Sequence, residues 1–235
     1  MDHDIRFKVM VRRPLVTRHL VQYHVNQGSD EIAPQYSVHR QLQWKILNDL
    51  DSNTKARQQT FDYTVAIIHT SFPRLSDFMI PMFDEWNSYQ RSIAHVHRLA
   101  QVFHRSSQST VPLEGSIEFA ELLISAGNYL YEVRIMKSGI SIVKAATQVC
   151  EKLLARYSSP TIIANSQNRN HKADIMQLRA TALTLLWGFY FRTGIASRKD
   201  AQEAISAVVR LREDHAKLPL SEERRIVSQA LLSNA

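Results

Sequence analysis

Ile117-Glu-Phe-Ala-Glu-Leu-Leu-Ile-Ser-Ala-Gly-Asn-Tyr-Leu-Tyr-Glu132 and, past the break at Lys137-Ser-Gly139, Ile140-Ser-Ile-Val-Lys-Ala-Ala-Thr-Gln-Val-Cys-Glu-Lys-Leu-Leu154 decide the fold. In the first stretch Ile117, Ala120, Ile124, Gly127 and Tyr131 recur at helical spacing, and in the second Ile142, Ala146, Val149 and Leu153 do the same. Two apolar stripes of this period joined by a short Gly-containing break predict an antiparallel helix pair. Gly127, Gly139 and Ala146 are small where the two helices would cross, so backbones can approach closely.

Outward from this pair the helical period continues. Asp51-Ser-Asn-Thr54 supplies N-cap candidates for a helix striped by Phe61, Val65, Ile68 and Phe72 and ended by Pro73. Asp84-Glu-Trp86 opens another, striped by Tyr89, Ile93, Val96, Ala100 and Phe103, with acidic residues where the helix dipole favours them. Arg105-Ser-Ser-Gln-Ser-Thr-Val-Pro112 has linker composition and predicts a domain boundary. Ser158 to Lys172 reads as a long polar loop. Asp174 to Thr193 and Ala201 to His215, with Ala204, Ile205, Val208 and Leu211 in register, predict a second helix pair, and Ser221-Glu-Glu begins a last helix. Leu20-Val-Gln-Tyr-His-Val25 alternates and leads through a Gly-containing loop to Gln35-Tyr-Ser-Val-His39, which predicts a β-hairpin before a helix from about Gln41 to Leu50.

The predicted fold class is therefore all-α, a helical hairpin array with one small N-terminal β-hairpin. Residues 1–105 are expected to hold the hairpin and the helices that follow it, 106–115 a linker, and 116–235 the helical repeats. Tetratricopeptide repeats place small residues where the two helices of a hairpin cross. Aligning Gly127 with the small position of the first helix puts Gly139, Val143 and Ala146 at the expected positions of the second. Gly188 allows a second, weaker alignment that needs one extra residue before Ala201, and Glu151 stands where the usual proline would be. Gly127 and Gly188 also lie much farther apart than the consensus repeat of about 34 residues, so the repeats are degenerate.

Composition narrows the function classes. Of the 235 residues 44% are hydrophobic and 22% charged, which is ordinary for a globular chain. Cys150 is the sole cysteine, which excludes an intramolecular disulfide and a cysteine-rich zinc site and fits a reducing, cytoplasmic setting. The apolar run Ala182 to Phe191 is far shorter than the roughly 20 residues a spanning helix needs and reads as a buried helix. Residues 1–20 mix charges with single apolar residues, unlike a secretory signal. No pair of the six glycines is spaced as a phosphate-cradling P-loop before a lysine requires, so ATP hydrolysis is not expected of this chain.

Arg18-His-Leu-Val21, Tyr36-Ser-Val-His-Arg-Gln-Leu-Gln43, Asp84-Glu-Trp86, Phe119 to Glu132 and Val149-Cys-Glu-Lys-Leu-Leu154 together resemble the carboxy-terminal region of fungal STAND-type (NB-ARC-like) signalling NTPases. In that family a nucleotide-binding module precedes a winged helix and tetratricopeptide-like repeats. The resemblance implies that residues 1 to about 50 are the end of the winged helix, with the NTPase module upstream and the repeats truncated. It also implies a role for His39, which matches the histidine of the Met-His-Asp-like motif that contacts the phosphate of bound ADP. Val38 and Arg40 depart from the flanking Met and Asp. Two readings of His39 stay open, a nucleotide sensor that needs an NTPase module and a histidine bonded to nearby backbone at a strand end.

Other chemistry-bearing residues read as structural. His95 and His97 are two apart on a helix and diverge, whereas helical zinc pairs use i, i+4 spacing, so no metal is expected. Cys150 adjoins an apolar stripe and reads as a small buried residue. Asp84 and Glu85 read as dipole partners, and Trp86, Trp187, Phe189, Tyr190 and Phe191 as core aromatics before a ligand pocket. The expected function is a non-catalytic protein–protein interaction or regulatory segment, with no catalytic residue and no cofactor, whose partner is a protein, a peptide or an NTPase module. The alternative is nucleic-acid binding through Arg12, Arg13, Arg18, His19 and Arg40 near the hairpin. It ranks lower, because Pro14 interrupts the basic stretch and no complete helix-turn-helix precedes the hairpin.

Overall fold

The structure, a computed structural model, describes residues 21–24, 35–38, 40–74, 83–157, 166–193 and 206. The chain divides into two units, Met1–Arg57 and Gln58–Ala235.

In the first unit, β1 (Val21–His24) pairs antiparallel with β2 (Gln35–Val38), with Val21 opposite Val38 and His24 opposite Gln35. Helix α1 (Arg40–Ser52) follows and contains no buried residue. Asn53 caps α2 (Thr54–Ser71), its Oδ1 accepting the Ala56 amide at 3.0 Å. The division between the units falls in the first turn of this helix.

The second unit is helical among its described residues. Along α2, Phe61, Val65 and Phe72 are buried and Ile68 packs against the core, as their spacing predicts. A 3-10 turn, Phe83–Glu85, leads into α3 (Trp86–Ser106), where Tyr89, Val96, Ala100 and Phe103 of the expected stripe are buried and Ile93 is partly buried against the core. Then come α4 (Ile117–Glu132), α5 (Met136–Tyr157) and α6 (Ser166–Thr193). Ser116 caps α4, its side chain accepting the Phe119 amide.

Helix α4 lies at the centre of this unit. Every residue from Leu122 to Leu130 is buried, so its neighbours cover all sides and not only the stripe seen in sequence. Phe119 meets Phe61 of α2 edge-on at 5.0 Å and Phe103 of α3 at 5.3 Å. Tyr129 stacks on Tyr89 at 5.0 Å, and Phe72 meets Tyr89 edge-on. On its other sides α4 packs against α5 and α6, which also pack against each other.

That aromatic core spans the expected boundary at 106–115, and the boundary falls inside the second unit. Ser106 and Leu113 are buried, and the Ser106 hydroxyl accepts the Leu113 amide at 3.1 Å. The Gln58 side chain makes a two-way bond with the backbone of Glu114, accepting its N–H at 2.9 Å and donating to its C=O at 3.0 Å. The Glu114 carboxylate pairs with Arg156 of α5 at 2.8 Å. A serine-rich segment with linker composition is thus a pinned joint between helices.

Two other boundaries differ from expectation. Gly139 lies in the first turn of α5 and not before it, because the helix begins at Met136. The polar stretch expected as loop up to Lys172 is helical from Ser166, and His171 stacks on Tyr157 at 6.0 Å. The expected helices at Ala201 to His215 and from Ser221 lie outside the described residues, Ser206 excepted, which is helical and exposed.

Candidate functional site

The distance between packed helices depends on the side chains at the contact, and small residues at a crossing let them approach most closely. Here each crossing has a glycine. A Cβ on Gly127 of α4 would stand 2.4 Å from Val143 Cγ2 of α5. One on Gly139 of α5 would stand 2.2 Å from Phe189 Cζ of α6, and one on Gly188 of α6 would stand 3.2 Å from Tyr131 Cε2 of α4. Ala146, Val143 and Phe189 are fully buried beside them. Of the small residues singled out in the sequence, Gly127 stands at the expected crossing of α4 and α5, whereas Gly139 meets α6 and not α4, and Ala146 is buried in the core.

The carboxy-terminal part of α6 presents aromatic and basic side chains around the stack. Phe191 is 75% exposed and stacks on the half-buried Trp187 at 5.5 Å. The Arg192 guanidinium lies over the Tyr131 ring at 4.1 Å, and Lys144 Nζ approaches the Tyr190 ring at 5.8 Å. Aromatic side chains and arginine are the residue types enriched at protein interfaces, because they offer large, stiff contact area with polar edges. Of the aromatics named in the sequence, Phe189 is core and Tyr190 packs against the core, while Phe191 is exposed on the half-buried Trp187. Trp86 belongs elsewhere.

Trp86 joins a polar cluster that sequence reasoning missed. Its indole N–H donates to Glu132 Oε2 at 2.8 Å, and the Asn128 amide donates to Glu132 Oε1 at 2.6 Å. Asn128 is buried and Tyr89 almost fully so. Burial first, then the carboxylates of Glu132 and Glu85, push the Tyr89 phenol well above its ordinary value. A carboxylate that accepts from a fixed donor on each oxygen braces the end of α4. The helix then turns on Arg134, which has a φ of 62°, while Ile135 donates to the Leu130 carbonyl at 2.8 Å and Arg134 to that of Tyr131 at 3.3 Å. This is the Schellman arrangement with arginine in the position glycine usually takes.

Cys150 is fully buried, and burial pushes its thiol up to about 12 despite the opposing pull of Arg179. A thiol so protonated is a packing residue and not a nucleophile. His97 bonds Gln101 of the next turn at 3.1 Å, and His69 meets Glu121 at 2.9 Å. No group of three His, Cys, Asp or Glu residues is placed to hold a metal ion among the described residues. Asp84 and Glu85 sit in the 3-10 turn before α3, and Glu85 makes no side-chain capping bond there. His39 lies outside the described residues, as do Arg12, Arg13, Arg18 and His19. Arg40 opens α1 and is exposed.

No helix among the described residues is long and apolar enough to cross a membrane. No protein-family model matches the chain, and neither a curated protein nor a solved structure does.

Proposed function

We propose that this chain is a non-catalytic protein-interaction and regulatory segment in which helical hairpins stack to present a docking edge. The observation that carries the reading is the glycine at each pairwise crossing of α4, α5 and α6. A hairpin, α4 and α5, followed by a third helix that packs on both of its members is what the start of a second tetratricopeptide-like repeat would look like. The edge built from Trp187 and Phe191, with Arg192 nearby on the same helix, is the docking surface. Its chemistry suits a peptide that brings an apolar anchor and an acidic residue.

The resemblance to STAND-type NTPases extends this proposal. Residues 1 to about 50 are the remnant of a winged helix, and the chain restrains or reports on an NTPase module in the cytoplasm. His39 serves as the nucleotide sensor only when that module is supplied.

The test is surface-immobilised full chain probed with a library of acidic peptides carrying one aromatic or aliphatic anchor. Saturable binding that Phe191→Ser and Trp187→Ala weaken on the order of tenfold, about 1.4 kcal/mol, is the expected result. A chain inert to every peptide, or binding that ignores both substitutions, would overturn the reading.

A further inference from the structure

Helix α3 carries six Arg and His side chains, Arg91, His95, His97, Arg98, His104 and Arg105, and no Asp or Glu from Trp86 to Ser106. The arginines recur every seventh residue. In an α-helix seven residues advance about 10.5 Å and return to the same face with a drift of about 20°, so the three guanidinium groups form one strip. All three are exposed, as are Ala94 and His95 on the same side, while Tyr89, Val96, Ala100 and Phe103 face the core. Elsewhere Arg57, Arg156 and Arg179 are matched by carboxylates at 2.8–3.7 Å. Among the described residues no ion pair reaches Arg98 or Arg105.

We infer that this face of α3 docks an acidic helix of a partner protein, one that carries Asp or Glu at heptad spacing. A partner helix shares the period of the strip, so successive carboxylates keep register with successive arginines. Ala94 and the half-buried Val102 lie between the arginines along the strip. Small or apolar residues at these places suit the side chains of an opposing helix better than a phosphate backbone. The partner is not a second copy, because Asp and Glu nowhere recur at three positions seven apart in this chain.

This inference rests on the protein-interaction reading and names one class of partner on a second surface. Its probe is a fluorescent synthetic helical peptide with Glu at three heptad-spaced positions, titrated with the full chain at low salt and followed by anisotropy. Arg91 stays in place, and the variants are R98E/R105E and R98K/R105K, each checked for unchanged helicity by circular dichroism. We expect saturable binding, a loss of about tenfold or more with R98E/R105E, retention with R98K/R105K, and about tenfold weaker binding of a same-composition peptide with its Glu residues moved off the heptad.

Four results overturn the inference: equal binding of the two peptides, no saturable binding, indifference to R98E/R105E, or tighter binding of duplex DNA of similar length. Each of them leaves the module reading standing, since that is scored at Trp187 and Phe191 on α6.

Discussion

Adding a single methyl group at Gly127 opposes two effects of known size. Glycine inside a helix costs about 1 kcal/mol relative to alanine, so Gly127→Ala on an isolated helix would stabilise. In the folded chain the new Cβ would stand 2.4 Å from Val143 Cγ2, more than 1 Å inside the ~3.5–4.0 Å optimum of a carbon contact. Val143 is fully buried on α5 and β-branched, and such a side chain holds one strongly preferred rotamer in a helix. Its methyl cannot swing aside, so the helices must separate. Overpacking of this kind costs typically 1–3 kcal/mol, and at this depth of overlap the upper part of the range applies. The net expectation is destabilisation of about 1–2 kcal/mol.

Val143→Ala alone should cost about 2 kcal/mol by leaving a cavity. In the double variant the alanine methyl at 127 occupies the space vacated by Val143, so the two changes should fall short of additivity by about 1–2 kcal/mol. Urea denaturation followed by circular dichroism measures all four corners of the cycle. Gly127→Ala as stable as the parent, or a double variant additive within about 0.5 kcal/mol, would refute the close crossing of α4 and α5.

The other crossings give contrasting signs. Gly139→Ala should destabilise by about 1–3 kcal/mol, because the buried Phe189 ring that it meets is itself held edge-on by Tyr131. Gly188→Ala should be within about 0.5 kcal/mol of neutral in the same assay, since its methyl meets the half-buried Tyr131 ring at 3.2 Å, where a few tenths of an ångström of movement suffices. Arg134→Gly should raise stability by about 0.5–1 kcal/mol, measured by thermal melting, because it relieves a positive φ in a side-chain-bearing residue. Trp86→Phe should lower it by about 1.5–3 kcal/mol by removing a donor from the Glu132 carboxylate.

Cys150 gives a prediction in pH. Its thiol is raised in the folded chain from 9.0 to about 12, so the unfolded state releases this proton first as pH rises. The contribution is complete below pH 9.0 and is lost progressively between there and about 12. Stability should fall more gently over this window in Cys150→Ala than in the parent, and iodoacetamide should label Cys150 only as fast as the chain opens. A thiol alkylated at the rate of a free cysteine would contradict its burial.

Periodicity made α2, α3 and α5 legible because each buries one face, and their stripes stand in the sequence at helical spacing. It under-read α4, where burial on every side leaves no polar face to set the phase. The start of α6 at Ser166 was illegible because Asn and Ser are poor helix formers, and tertiary contacts outweigh them: Ile175 and Met176 are buried two turns in, and His171 rests on Tyr157. Segment 106–115 has linker composition, yet partners distant in sequence fix it, Gln58 and Arg156 among them. The bond from Trp86 to Glu132 likewise spans 46 residues and leaves no local mark. Small residues at crossings were readable, since a glycine inside an apolar helix is costly unless something must come close.

The most direct measurement is a nuclear Overhauser spectrum of the full chain with labelled Val methyl groups and aromatic rings. Cross-peaks from the Gly127 Hα protons to a Val143 methyl, from Gly139 Hα to the Phe189 ring and from Gly188 Hα to the Tyr131 ring are the predicted result. Their absence in a folded sample would mean that α4, α5 and α6 do not meet at their glycines, and the stacked array with its docking edge would fall with them.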